Sequence, residues 1–184
     1  MIIQEDNIMK ETKIHSKHVY HSNFLKIEED TVITSESIET KRIVIRHSGA
    51  SAILPITDDG NIVLIKQFRY PIDAVTIEVP AGKLEADEDP VLCASRECEE
   101  EAHVKPEKIE HVMSIHNCLG YSDEVIHLYL GYGCQYIKNP LPKDIDETFE
   151  ILYYTKKEVL ALLQRHEITD SKTIILLQHY LALS

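Results

Sequence analysis

The 184-residue chain has no tryptophan, only six glycines and few cations, with 19 lysines and arginines against 31 aspartates and glutamates. The resulting formal charge of −12 excludes non-specific nucleic-acid binding, which needs a basic surface to displace counterions. No apolar stretch near the N-terminus is long enough for a signal peptide or a membrane span. The four cysteines, Cys93, Cys98, Cys118 and Cys134, lack the C-x-x-C spacing of a metal site, so reduced cytoplasmic thiols are expected. Histidines are plentiful, yet His15, His18, His21, His111, His116 and His127 form no zinc-like spacing with a carboxylate. There is no internal repeat and no low-complexity segment. With 43% hydrophobic residues, the chain can bury the core of one main domain.

What is present is concentrated between Gly82 and Val104. Asp89-Pro90 reads as a helix start, because the aspartate caps free amides and proline suits the first helical position. A helix to about Ala102 puts Val91, Ala94, Ser95, Cys98 and Ala102 on a core face, and Glu97, Glu100 and Glu101 on another. Like charges three and four apart cost roughly 0.2–0.5 kcal/mol per pair in a bare helix, so a cation is expected to offset them. Mg²⁺ takes hard oxygen ligands and is shared between a few carboxylates and substrate phosphates. Glu97 and Glu101, one turn apart, suit that role. Arg96 is placed to pin Glu100 or to pair with Glu88 from the preceding loop. Most acidic runs are solvated helix faces, and Glu99 is read that way. The fixed spacing of Gly82, Glu88 and Arg96 argues otherwise for the set. Six such matches arise by chance on the order of 10⁻⁵ per chain at about 6% usage per residue type.

These residues resemble the Nudix box, a glycine, five residues, glutamate, seven residues, then R-E-U-x-E-E-x-G-U, with U a bulky aliphatic residue. Gly82, Glu88, Arg96, Glu97, Glu100, Glu101 and Val104 match it; Cys98 and His103 depart. His103 stands where a glycine past the helix end adopts a left-handed conformation, so it is expected to be a strained cap costing about 1 kcal/mol rather than a catalytic base. Q-F-R-Y before the box, Glu78 to Glu85, Gly120 to His127 and the stretch E-I-T-D-S-K-T-I-I-L-L resemble the ADP-ribose pyrophosphatase branch, from about Arg46 onward. Leu119 stands where that branch usually has proline.

The resemblance implies an α/β fold, a Nudix-type α/β/α sandwich of mixed sheets with an N-terminal antiparallel meander. Residues 1–42 are expected to form that meander and to pair across a two-fold homodimer, and 43–184 the hydrolase domain. Strands are predicted over Lys13–Tyr20, Asn23–Glu28, Arg42–Arg46, Ala50–Ile56, Ile62–Phe68, Ile109–Ile115, Val125–Tyr132 and Glu150–Tyr154. Asp58-Asp59-Gly60-Asn61 reads as a hairpin turn, and closing helices are predicted over Lys156–Arg165 and Ser171–Leu183. Residues 138–148 read as a loop over the site.

By the same resemblance, Ala81 through its carbonyl and Glu97, Glu100 and Glu101 hold Mg²⁺, with Mn²⁺ the alternative. Glu147, on the loop with Asp144 and Asp146, matches the water-activating base; Glu100 is the competing base. Arg69 is assigned to the diphosphate through its fork of donors. Arg46 is assigned to the terminal ribose or phosphate, with a surface ion pair the favoured alternative. Glu78 is assigned to ribose hydroxyls or adenine. In the absence of tryptophan, base stacking falls to Tyr20 or Phe24. His127 is read as strand filler. The implied activity is divalent-metal-dependent hydrolysis of a nucleoside diphosphate linked to another group, ADP-ribose giving AMP and ribose 5-phosphate. A GDP-mannose-like nucleotide sugar or a dinucleotide is the alternative substrate. A non-catalytic ADP-ribose sensor is disfavoured because the box glutamates are intact. Neither nucleic acid nor a membrane is an expected partner.

Overall fold

A computed structural model of the chain describes residues 9–22, 25–142 and 148–183. Among these described residues, those up to Ser48, together with His116–Val125, form one compact unit; Gly49–Ile115 and those from Ile126 onward form another.

The first unit is an antiparallel meander of β1 (Thr12–His21), β2 (Leu25–Ile33) and β3 (Glu39–His47), in that order. β1 and β2 join through Ser22, whose amide donates to the Leu25 carbonyl at 2.9 Å. Leu25↔His47 to Ile33↔Glu39 pair without a register shift between β2 and β3. The His116–Val125 segment is tied to β3, since the Ile45 amide donates to the Tyr121 carbonyl and the Asp123 amide to that of Ile45.

The second unit is a mixed sheet between two helical layers. Its strands are β4 (Ala50–Thr57), β5 (Ile62–Arg69), β6 (Ala74–Glu78), β7 (Ala81–Lys83), β8 (Val104–Lys105), β9 (Lys108–His116), β10 (Val125–Tyr136) and β11 (Phe149–Tyr154). The order is β11-β5-β4-β10-β8, with β6 on β5, β7 on β4 and β9 on β10. β10 runs parallel to β4 and most other pairs are antiparallel. Side chains alternate across the sheet, as a period of two requires. Ala52, Leu54, Leu64, Leu128 and Leu130 face a core shared with α2 (Lys156–Gln164) and α3 (Ser171–Ala182). Ile53, Val63 and Tyr129 face the opposite core, against Ala94, Cys98 and Ala102 of α1 (Pro90–Ala102). No helix among the described residues is long and apolar enough to cross a membrane.

Each expected strand, the hairpin turn and both closing helices have a counterpart among the described residues; Asn23, the expected start of the second strand, lies outside them, and that strand runs on to Ile33. At the turn, the Thr57 and Gly60 amides donate to the Asn61 and Thr57 carbonyls. α1 begins where Asp89 accepts from the Val91 amide at 3.0 Å and ends at His103, with φ 54° and ψ 31°. The strained left-handed cap is therefore present on a residue bearing Cβ. Three short strands, β6, β7 and β8, were not expected, and a 3₁₀ turn at Tyr70–Ile72 links β5 to β6.

Candidate active site

α1 presents a different face to the protein than its apolar periodicity predicts. Ala94, Cys98 and Ala102 are buried, but so are Cys93, Glu97 and Glu101, whereas Val91 and Ser95 are only half-buried. The reason is β7, which pairs with β4 through Ala50↔Lys83, Ser51↔Gly82 and Ala52↔Ala81 and lies against the helix. Glu97 is 8% exposed and Glu101 3%. The Ala81 amide donates to Glu101 Oε2 at 2.8 Å. A Cβ on Gly82 would lie 1.8 Å from Glu97 Oε1, so the box glycine is demanded by a carboxylate occupying that space rather than by its backbone angle.

Arg96 does both things expected of it. Its Nε and Nη2 donate to the two Glu88 oxygens at 2.9 and 3.0 Å, and its Nη1 donates to Glu97 at 2.6 Å and Glu100 at 3.0 Å. The hydrogen bond to Glu88 raises the arginine pKa and lowers that of the glutamate. Burial, reinforced by the charge of Glu88, pushes the neighbouring Cys93 thiol up to about 12, so it is no nucleophile. One guanidinium thus serves three carboxylates, Glu88 of the preceding loop and Glu97 and Glu100 of α1, and Glu101 lies on the same helix. Among the described residues no three such side chains close into a ready-made metal cage, because Arg96 lies between Glu97 and Glu100. The donor set nevertheless fits a divalent magnesium-like cation. It is all oxygen, anionic and largely buried, and such cations use one or two carboxylates with substrate phosphates rather than complete protein cages.

A second ionic cluster surrounds Glu78, which is 2% exposed. Arg69 grips it with two bonds, Nε to Oε1 at 2.8 Å and Nη2 to Oε2 at 2.7 Å. Lys172 Nζ donates to Oε2 at 2.6 Å and Thr76 Oγ1 to Oε1 at 2.7 Å. Burial alone would raise the Glu78 pKa, but Arg69, Lys172 and Thr76 outweigh it and hold the carboxyl down to about 2. Glu78 was expected to accept from ribose or adenine; both its oxygens are instead engaged inside the protein. Arg69 remains 43% exposed at its side chain, with its fork oriented by this contact.

Arg46 lies within the meander unit, bonded to Glu28 at 3.0 Å, Asp30 at 3.1 Å and Asp123 at 3.2 Å, which is the ion-pair alternative. It borders a cavity of about 300 Å³ with His21, Lys26 and His47. Tyr20, in the same unit, is exposed. In the second unit His127 Nδ1 meets Ser114 Oγ at 2.8 Å on the strand pair β9–β10. Phe24, Asp144, Asp146 and Glu147 lie outside the described residues. Sequence reasoning missed Lys172 and Thr173, although both stand in a stretch that resembles the family.

Glu97 and Glu101 thus form a buried acid pair on a capped helix, against the glycine-bearing strand β7, with Arg96 holding Glu97. Residues 46–177 match the model of the NUDIX domain, and the chain belongs to that family as a Nudix hydrolase. It is 35% identical over 94% of its length to a methanol dehydrogenase activator of Bacillus methanolicus, covering 93% of that protein. It is 30% identical to an ADP-ribose pyrophosphatase of Bacillus subtilis (strain 168), over 93% of this chain and 92% of that one. Its fold matches the crystal structure of an ADP compounds hydrolase with a TM-score of 0.79 at 17% identity, covering 95% of this chain and 93% of the other.

Proposed function

We propose that the protein hydrolyses the pyrophosphate bond of ADP-ribose to AMP and ribose 5-phosphate, as a Mg²⁺-dependent homodimer in the cytoplasm. The observation that carries this reading is the Glu97 carboxylate in the space of a Gly82 Cβ, one turn from Glu101 on the Ala81 amide. The pyrophosphatase relative, aligned over nearly the whole chain, supports the substrate. When bound, the cations neutralise the charge that develops on the two phosphates. Glu97, Glu100, Glu101 and the Ala81 carbonyl are the residues that hold them. Arg96 keeps Glu97 and Glu100 in register, and Arg69 takes the diphosphate through its fork, oriented by Glu78. A carboxylate, Glu147 or Glu100, takes the proton of the attacking water. The exposed Ile14, Val19 and Tyr20 of β1 support pairing of the meander with a second copy.

A panel of nucleoside diphosphate compounds, assayed with Mg²⁺, with Mn²⁺ and with EDTA, tests this reading. AMP and ribose 5-phosphate from ADP-ribose, lost with EDTA, are expected. Preferential cleavage of GDP-mannose or a dinucleotide replaces the substrate but keeps the reaction, and no cleavage of any compound overturns both.

A further inference from the structure

We propose that Thr173 of α3 is a positioning residue for the metal centre, holding in place the peptide that meets Glu101. This rests on the reading above, in which Ala81, Glu97 and Glu101 surround the cation. The β5–β6 ladder ends at Ile65↔Glu78, so the amide of the next residue, Val79, has no strand partner in it. That amide donates instead to Thr173 Oγ1 at 2.9 Å, 94 residues further along the chain. Val79 and Thr173 are both 0% exposed, so no water competes for the bond.

The hydroxyl is itself aimed. It donates its proton to Asp170 Oδ2, which also caps α3 by accepting from the Thr173 amide at 3.0 Å. The other Asp170 oxygen meets Lys172 Nζ at 2.9 Å, and that ammonium donates to Glu78. The first turn of α3 therefore grips two consecutive residues, Glu78 by its side chain and Val79 by its backbone. From there the chain has little freedom before the site. Pro80 has a locked φ, and its carbonyl accepts from the Ile53 amide at 3.0 Å. Ala81 then donates to Glu101, and Gly82 abuts Glu97. Supports outside the ligand set commonly tune metal affinity through orientation alone.

The test is Mn²⁺ binding to the substrate-free protein, followed by the EPR signal of free Mn²⁺ well below the melting temperature. Thr173→Val is expected to weaken binding about 10-fold, and Thr173→Ser to restore it to within about 2-fold. A purely structural threonine would lower the melting temperature and leave the affinity of the folded protein unmoved, which overturns the proposal. Glu101→Gln, run alongside, separates the two levels. If Glu101→Gln weakens binding and folded Thr173→Val does not, only the role of Thr173 falls; if Glu101→Gln binds as tightly as the parent, the metal centre itself is misassigned. Should Thr173→Val fail to fold, Asp170→Asn decides. It loosens the anchor of the hydroxyl, an affinity loss of about 3-fold is expected, and no loss overturns the proposal.

Discussion

The two ionic clusters of the second unit are built on opposite counts. Around Arg96 one cation serves Glu88, Glu97 and Glu100, whereas around Glu78 one anion is served by Arg69 and Lys172. Adding Asp170 balances the second cluster in formal charge, while adding Glu101 deepens the excess of the first. Both contain carboxylates that are nearly inaccessible to solvent, so burial alone does not separate a binding site from an anchor. The sign of the imbalance does. A buried excess of negative charge is tolerable where a cation completes it, and a cluster balanced in charge needs no such cation.

Removing one charge from each cluster tests that contrast most strongly. Glu101→Gln keeps the shape of the side chain and should lower kcat by about 10³-fold with an unchanged circular dichroism spectrum; an unchanged kcat would break the comparison. Next in size, Gly82→Ala places a methyl group where Glu97 now sits and should weaken Mn²⁺ binding by about 10- to 100-fold in the folded protein. Wild-type affinity would mean that the position of Glu97 is immaterial.

At the balanced cluster the effect should fall on stability instead. Glu78 is held near a pKa of about 2 against an ordinary 4.5, so its contribution is complete above the higher value and is lost as pH falls toward the lower one. Denaturant unfolding should reveal a loss on the order of 3 kcal/mol across that window. Glu78→Gln should flatten the slope, and parallel pH curves for the two proteins would remove Glu78 from the anchor. Smallest is His103→Gly at the end of the helix that carries the first cluster. Relief of the left-handed strain should raise the melting temperature by about 2–4 °C, and a decrease would contradict the strained-cap account.

Much of the first cluster was readable in advance, because its members sit within one helix and the loop before it. Asp89-Pro90 marks the start of α1, and the spacing of Glu88, Arg96 and Glu100 brings them together. Burial of Glu97 and Glu101 was not readable, since it depends on β7, a strand of three residues defined by its pairing with β4 and too short to show alternation. The second cluster was legible only as separate residues. Glu78 read as a ligand contact rather than as an anchor because Lys172, which completes its ion pairs, lies 94 positions away. Thr173 carried no signal of its own, as a threonine early in a helix is ordinary.

The bond from Thr173 to Val79 also limits how far the signature can be transplanted. A graft of Gly82–Val104 onto another scaffold would carry the acids and their arginine but leave behind the hydroxyl that steadies the strand in front of them. A gene truncated ahead of α3 would encode an intact box without that brace, so retention of the signature alone is a poor guide to whether such a fragment works.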